Sequence, residues 1–191
     1  MVQLTKSIHE FDWVMEGLSI DVNELGAVML PVEPFELFGQ GRSFHLDPED
    51  LYASNDPSEG WVAGDVTGEA HITLLYGLLK AGYNKEAIDG VLKGWAAPMW
   101  LDPQKVSIFH TEGKPYSAIV VEVEHTLLRD AHARLSYLPH VNTFPEYKAH
   151  VTLAYVKAEK ALYWQEVLSN EQFHIYPLHD TIDYGFKKSW E

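Results

Sequence analysis

One phrase occurs twice in this chain of 191 residues, as His71-Ile-Thr-Leu-Leu-Tyr76 and as His150-Val-Thr-Leu-Ala-Tyr155. Both copies are apolar and rich in β-branched residues, and both read as buried strands, over 70–78 and 149–156. Each is followed by a helical pattern, over 84–95 with Asn84 as cap, and over 158–169. Each helix is followed by two strand patterns, 105–110 and 116–123 in the first copy, 172–176 and 181–186 in the second. The unit is strand–helix–strand–strand, repeated. At about 40–50 residues such a unit is too small to bury a core alone, so the two must pack together. The expected fold is α+β: a single bilobal domain over 1–191, with pseudo-twofold duplicated units and antiparallel sheets lining a central cleft. Within it, 70–125 is the first unit and 126–191 the second. The second opens on a helix over 126–138, whose stripe of Leu127, Leu128, Ala131, Leu135 and Leu138 ends at Pro139. Residues 1–69 supply an acidic hairpin, with strands at 17–22 and 26–32, then a loop. Asp47 and Pro48 suggest one turn of helix at 47–53.

Alternate strand residues share a face. His71 and Thr73 therefore project together, as do His150 and Thr152, while Ile72, Leu74, Val151 and Leu153 point into the packed side. If the copies meet across a cleft, it holds two imidazoles and two hydroxyls. That set suits phosphodiester cleavage without a metal. One neutral histidine takes a proton from an attacking hydroxyl or water, and the other, protonated, gives one to the leaving oxygen. The threonines donate hydrogen bonds to phosphate oxygens whose charge grows in the transition state. A single His-x-Thr reads equally well as a strand-edge histidine beside a β-branched neighbour. Two copies in matching contexts carry the inference.

The duplicated His-x-Thr-Leu pattern resembles the 2H phosphoesterase superfamily over about residues 17–188. That superfamily includes RNA 2′,3′-cyclic phosphodiesterases and 2′–5′ RNA ligase-like proteins. The wording of residues 71–77 and 148–155 is most similar to the phage anti-CBASS nucleases, which degrade the cyclic di- and trinucleotide messengers of bacterial immunity. The resemblance implies a bilobal fold, a metal-independent mechanism with no cofactor, and His71, Thr73, His150 and Thr152 as catalytic residues. It leaves open which histidine is acid and which base. The expected substrate is a cyclic di- or trinucleotide. An RNA 2′,3′-cyclic phosphodiesterase and a non-cleaving cyclic-nucleotide sponge are the alternatives, and two proton-transfer groups argue against the sponge.

Other residues extend the candidate site. Lys148 lies two before His150 and shares its face, where it can meet a phosphate oxygen; the matching residue of the first copy is Glu69. Trp61, Trp100 and Tyr147 fall in predicted loops and offer flat partners for bases, as does Phe144. Tyr76 and Tyr155, five residues after each histidine, belong on the opposite face unless a bulge intervenes. The remaining histidines show no metal-ligand spacing.

Charge bounds the partner. Lysine and arginine number 14 against 28 aspartates and glutamates, a net charge of −14. Residues 1–60 hold two of the basic and twelve of the acidic residues. So acidic a surface disfavours duplex nucleic acid, which is bound through many lysine and arginine contacts to phosphate. It leaves room for a small anionic ligand in a local pocket. Cysteine is absent, so disulfides and thiolate chemistry are excluded. No apolar run reaches the roughly 20 residues of a membrane span, and the N-terminus lacks the apolar core of a signal peptide. A cytoplasmic location is expected, in a bacterial host if the gene is carried by a phage. The oligomeric state is not legible.

Overall fold

The computed structural model describes residues 25–33, 46–47, 49–52, 70–79, 84–110, 113–142, 144, 146–178 and 182–186. Among these residues six strands and three α-helices follow in the order β1 (Gly26–Pro31), β2 (His71–Leu78), α1 (Lys85–Val91), β3 (Pro103–His110), β4 (Tyr116–Val123), α2 (Thr126–Leu135), β5 (His150–Lys157), a 3₁₀ turn (Ala158–Lys160), α3 (Ala161–Ser169) and β6 (Asp183–Phe186). All neighbouring strands are antiparallel, in the order β3-β4-β5-β2-β1-β6. Where separate sheets were expected, the described residues form one. Its two His-x-Thr strands are neighbours at the centre. They meet at one registered pair, Ile72 with Val151, so two three-stranded halves share a narrow join.

The core lies on one side of this sheet. Ile72, Leu74, Val151, Leu153, Val121 and Val28 form a single cluster with Ile88, Leu128, Ala131, Leu135, Trp164 and Leu168 of the helices. Trp95 Nε1 donates to the Leu127 carbonyl at 2.7 Å, tying the end of the α1 region to α2. The α1 helix stops short of the expected residue 95. Turn residues follow Val91, and Gly94 takes the left-handed φ of 74° that ends a helix readily. His125 caps α2, its Nδ1 accepting from Leu127 N–H, and that helix ends at Leu135 rather than at 138.

Two expected elements take other forms. The strand expected at 172–176 is an extended run held by isolated bridges, Leu101 with Ile175 and Val32 with Pro177. Proline has no N–H to continue a ladder. In place of a helical turn at 47–53, the side chain of Asp47 accepts from Glu49 N–H, and its carbonyl accepts from Asp50 N–H. The chain then bridges Leu51 to Val156 at the end of β5. The first strand of the expected N-terminal hairpin, at 17–22, lies outside the described residues; the second, expected at 26–32, is β1, which pairs with β2 and β6. Among the described residues no helix is long and apolar enough to cross a membrane.

Candidate active site

Ile72 and Val151 are fully buried in the core, so the residues flanking them face the other side of the sheet. Antiparallel pairing reckoned from that pair sets His71 beside Thr152 and Thr73 beside His150. All four side chains are half-buried. The two motifs thus interleave, each histidine adjoining the other copy's threonine. The charge of His71 disfavours a charge on His150.

Both strands carry a β-bulge at the leucine of the motif. In β2 the register against β1 slips between the Thr73–Met29 and Leu75–Val28 pairs. In β5 the register against β4 slips between the Thr152–Val120 and Ala154–Ile119 pairs. Consecutive residues Leu74 and Leu75, and again Leu153 and Ala154, are therefore all in the core cluster. Alternation resumes one residue late, which places Tyr76 and Tyr155 on the histidine face. The phenol of Tyr155 hydrogen-bonds the hydroxyl of Thr152, and burial holds the phenol protonated well into the alkaline range, with Tyr116 adding to the effect. Tyr116 meets Tyr155 edge-on at 5.7 Å, and Tyr52 packs on Tyr116 at 4.8 Å between centroids. On the β2 side, Tyr76 lies 6.2 Å from Phe144, and both rings are exposed.

His150 is the most closely specified group. Its Nδ1 lies 2.7 Å from the Lys148 carbonyl. A carbonyl only accepts, so Nδ1 carries the proton and neutral His150 presents a lone pair at Nε2. Burial pushes the imidazole below its ordinary pKa. The Lys148 carbonyl opposes this, the charge of His71 lowers it further, and the carboxylate of Glu122 opposes again. The net direction is down, towards a neutral ring at pH 7. Phe109 of β3 closes over the ring at 4.7 Å in an edge contact.

Glu122 was not anticipated from sequence. It is the registered partner of His150 on β4. Its Oε1 accepts from Ser107 Oγ at 2.5 Å and pairs with Lys105 Nζ at 3.3 Å. Burial alone would raise this carboxyl, but Ser107, Lys105 and Lys148 bring it below the ordinary value, so it is ionised. Sequence alternation puts Glu122 on one face of β4. Its place beside His150 depends on the pairing of β4 with β5, which no local pattern encodes. The signal for Tyr155 was equally hidden, because a bulge is a mismatch between two strands.

The remaining candidates disperse. Lys148 is exposed, two residues before β5, and close enough to Glu122 to stabilise its charge. Tyr147 stacks flat on His132 of α2 at 4.1 Å, packed against the core, with its hydroxyl buried and unpaired. Trp100 is 57% exposed and lines a groove of about 630 Å³ with Lys105, Phe173, His174 and Tyr176. None of the four motif residues lines that groove. Trp61 and Glu69 lie outside the described residues. No group of three or more His, Asp or Glu able to hold a metal ion occurs among the described residues.

No family model matches this chain, and no curated protein matches it. Solved structures are similar at low identity. That of Kluyveromyces marxianus Usb1 is 9% identical with a TM-score of 0.46, covering 87% of this chain and 96% of that one. The structure of Kluyveromyces marxianus Usb1 with uridine monophosphate is 8% identical with a TM-score of 0.42, covering 86% and 99%.

Proposed function

We propose that this chain is a metal-independent phosphodiesterase of the 2H type, which cleaves 3′–5′ linkages in cyclic di- and trinucleotide messengers. Its role would be to counter CBASS immunity in the cytoplasm of a bacterial host. One observation supports the chemistry above all: His71 and His150 share one sheet face across the join, each beside the other copy's threonine by the register of Ile72 with Val151. The cyclic substrate rests on the likeness of the motif wording to the anti-CBASS nucleases, and the acidic surface agrees with a small ligand in place of a long duplex.

In this reading His150 is the base and His71 the acid. His150, neutral with its lone pair at Nε2, removes the proton from a ribose 2′-hydroxyl. The freed oxygen attacks phosphorus in line. The P–O5′ bond breaks, and protonated His71 delivers its proton to the departing oxygen. The product carries a 2′,3′-cyclic phosphate and a free 5′-hydroxyl; water opens the cyclic phosphate in a second step with the histidine roles exchanged. Thr73 and Thr152 donate to the non-bridging oxygens as their charge grows. The phenol of Tyr155 restricts the rotation of the Thr152 hydroxyl. Lys148 supplies positive charge at the rim.

Mass spectrometry of cyclic dinucleotides and 2′,3′-cyclic mononucleotides incubated with the protein, with EDTA present, tests this reading. Linearised cyclic dinucleotide is the expected product. His71→Ala and His150→Ala should each cost about a hundredfold or more, and a 2′-deoxy cyclic dinucleotide should stay intact. Cleavage of the mononucleotides alone would replace the substrate. Intact ligand recovered from a tight complex would replace catalysis by sequestration, and loss of activity in EDTA would overturn the metal-free route.

A further inference from the structure

Glu122 has no part in the proton transfers just described, yet it stands at the position nearest His150 on the neighbouring strand. Directly opposed residues of an antiparallel pair bring their side chains within about 5 Å at Cβ. The carboxylate is held on two sides, by Ser107 Oγ and by Lys105 Nζ, both from β3. Its side chain is only 19% exposed. A surface glutamate serving solubility needs neither a serine hydroxyl at 2.5 Å nor a place under the sheet face that carries the motif. Ser107 and Lys105 lie on alternate positions of β3, and both meet the same oxygen, Oε1.

We propose that Glu122 is a positioning residue for His150: pinned by Ser107 and Lys105, its carboxylate keeps a fixed negative charge beside the ring and steadies the imidazolium that forms when His150 takes the substrate proton. The groups facing His150 agree with this task. His71 and Thr73 approach from β2, Phe109 from β3, Glu122 from β4, and Lys148 from the segment just before β5. Burial and His71 both disfavour a charge on His150. Of these neighbours, Glu122 alone bears a negative charge to offset them. With the offset, His150 is a base able both to rest neutral and to accept a proton. Lys105, held by the same carboxylate, is kept at the rim on the approach to the groove edged by Trp100.

The inference rests on the assignment of His150 as base, and its test is chosen so that the two can fail separately. NMR titration of the histidine rings in the free protein needs no substrate. In Glu122→Gln, which keeps the shape and can still accept from Ser107, the His150 midpoint should fall by about one pH unit. In Glu122→Asp it should return most of the way. With a cyclic dinucleotide as substrate, the acidic limb of kcat/KM should move to lower pH in Glu122→Gln by the same amount. Its plateau kcat should drop about three- to tenfold as the base weakens, with KM within about twofold. If Glu122→Gln does not fold, Lys105→Met, which keeps the carboxylate and removes its cation, should raise the His150 midpoint. An unmoved midpoint in Glu122→Gln, or a lower one in Lys105→Met, overturns the role of Glu122. A moved midpoint in a protein that cleaves nothing upholds it and sinks the phosphodiesterase reading alone.

Discussion

A single hydroxyl illustrates how the site is built. Thr152 stands beside His71, and threonine oxygens rotate freely unless something fixes them. Tyr155 does so, from a position three residues on that a regular strand would turn away. The phenol is half-buried among Tyr116 and its neighbours, so it stays protonated across the working range. Tyr155→Phe removes only the oxygen and keeps the packing. It should lower kcat by about fivefold, since a hydrogen bond of this kind is worth about 1 kcal/mol, while KM and the melting temperature stay close to wild type. A rise in KM with unchanged kcat would show that the ring meets the substrate instead of serving Thr152.

Among the elements, the two bulges govern which residues reach the site, and one is tied down from the helix layer. At Leu74 the β2 ladder is interrupted, and the Leu74 carbonyl accepts from His132 Nδ1 of α2 at 2.8 Å. His132 is thus a fastener, with Tyr147 stacked on its outer side. His132→Ala would strand a buried carbonyl, and about 1–3 kcal/mol of stability should go with it, read by urea denaturation; an unchanged midpoint would show that the bulge holds itself. The strands of the repeat were legible because β-branched, apolar runs bounded by turns have few alternatives. The motif faces were legible from alternation alone, up to the leucine where alternation breaks. Beyond it alternation fails: Tyr76 and Tyr155 belong to the histidine side because β2 and β5 each insert an extra residue at that leucine against β1 and β4. Glu122 escaped for the same reason. Its neighbour across the ladder is set by tertiary pairing, and so is the isolated bridging of 175–177 where a strand was expected.

For the whole molecule, pH is the condition to which this arrangement is most exposed. His132 and His150 both lie below the ordinary histidine value of 6.5, each chiefly through burial. The native state therefore binds fewer protons at these positions than the unfolded chain does. Stability is full above 6.5 and declines as the pH falls from there towards the lower native midpoints. Asp50 and Glu122, lowered by their lysine and hydrogen-bonded partners, extend the loss into the carboxylate range. Calorimetry should show a melting temperature that is level from pH 8 to about 7 and then descends, beginning before any carboxylate titrates. In His132→Gln the first part of that descent should flatten. A melting temperature unchanged between pH 7 and 5 would contradict both assignments.

The ladder joining the two halves of the sheet is one rung deep. Backbone hydrogen bonding can therefore do little to hold the two halves of the sheet at a set angle. The greasy layer beneath, where Ile72 and Val151 rest on the helices, must do it. Gentle warming or a slimmer side chain there would spoil the gap between the two rings well before the polypeptide came apart, so turnover would be the first casualty of any loosening far from the rings themselves.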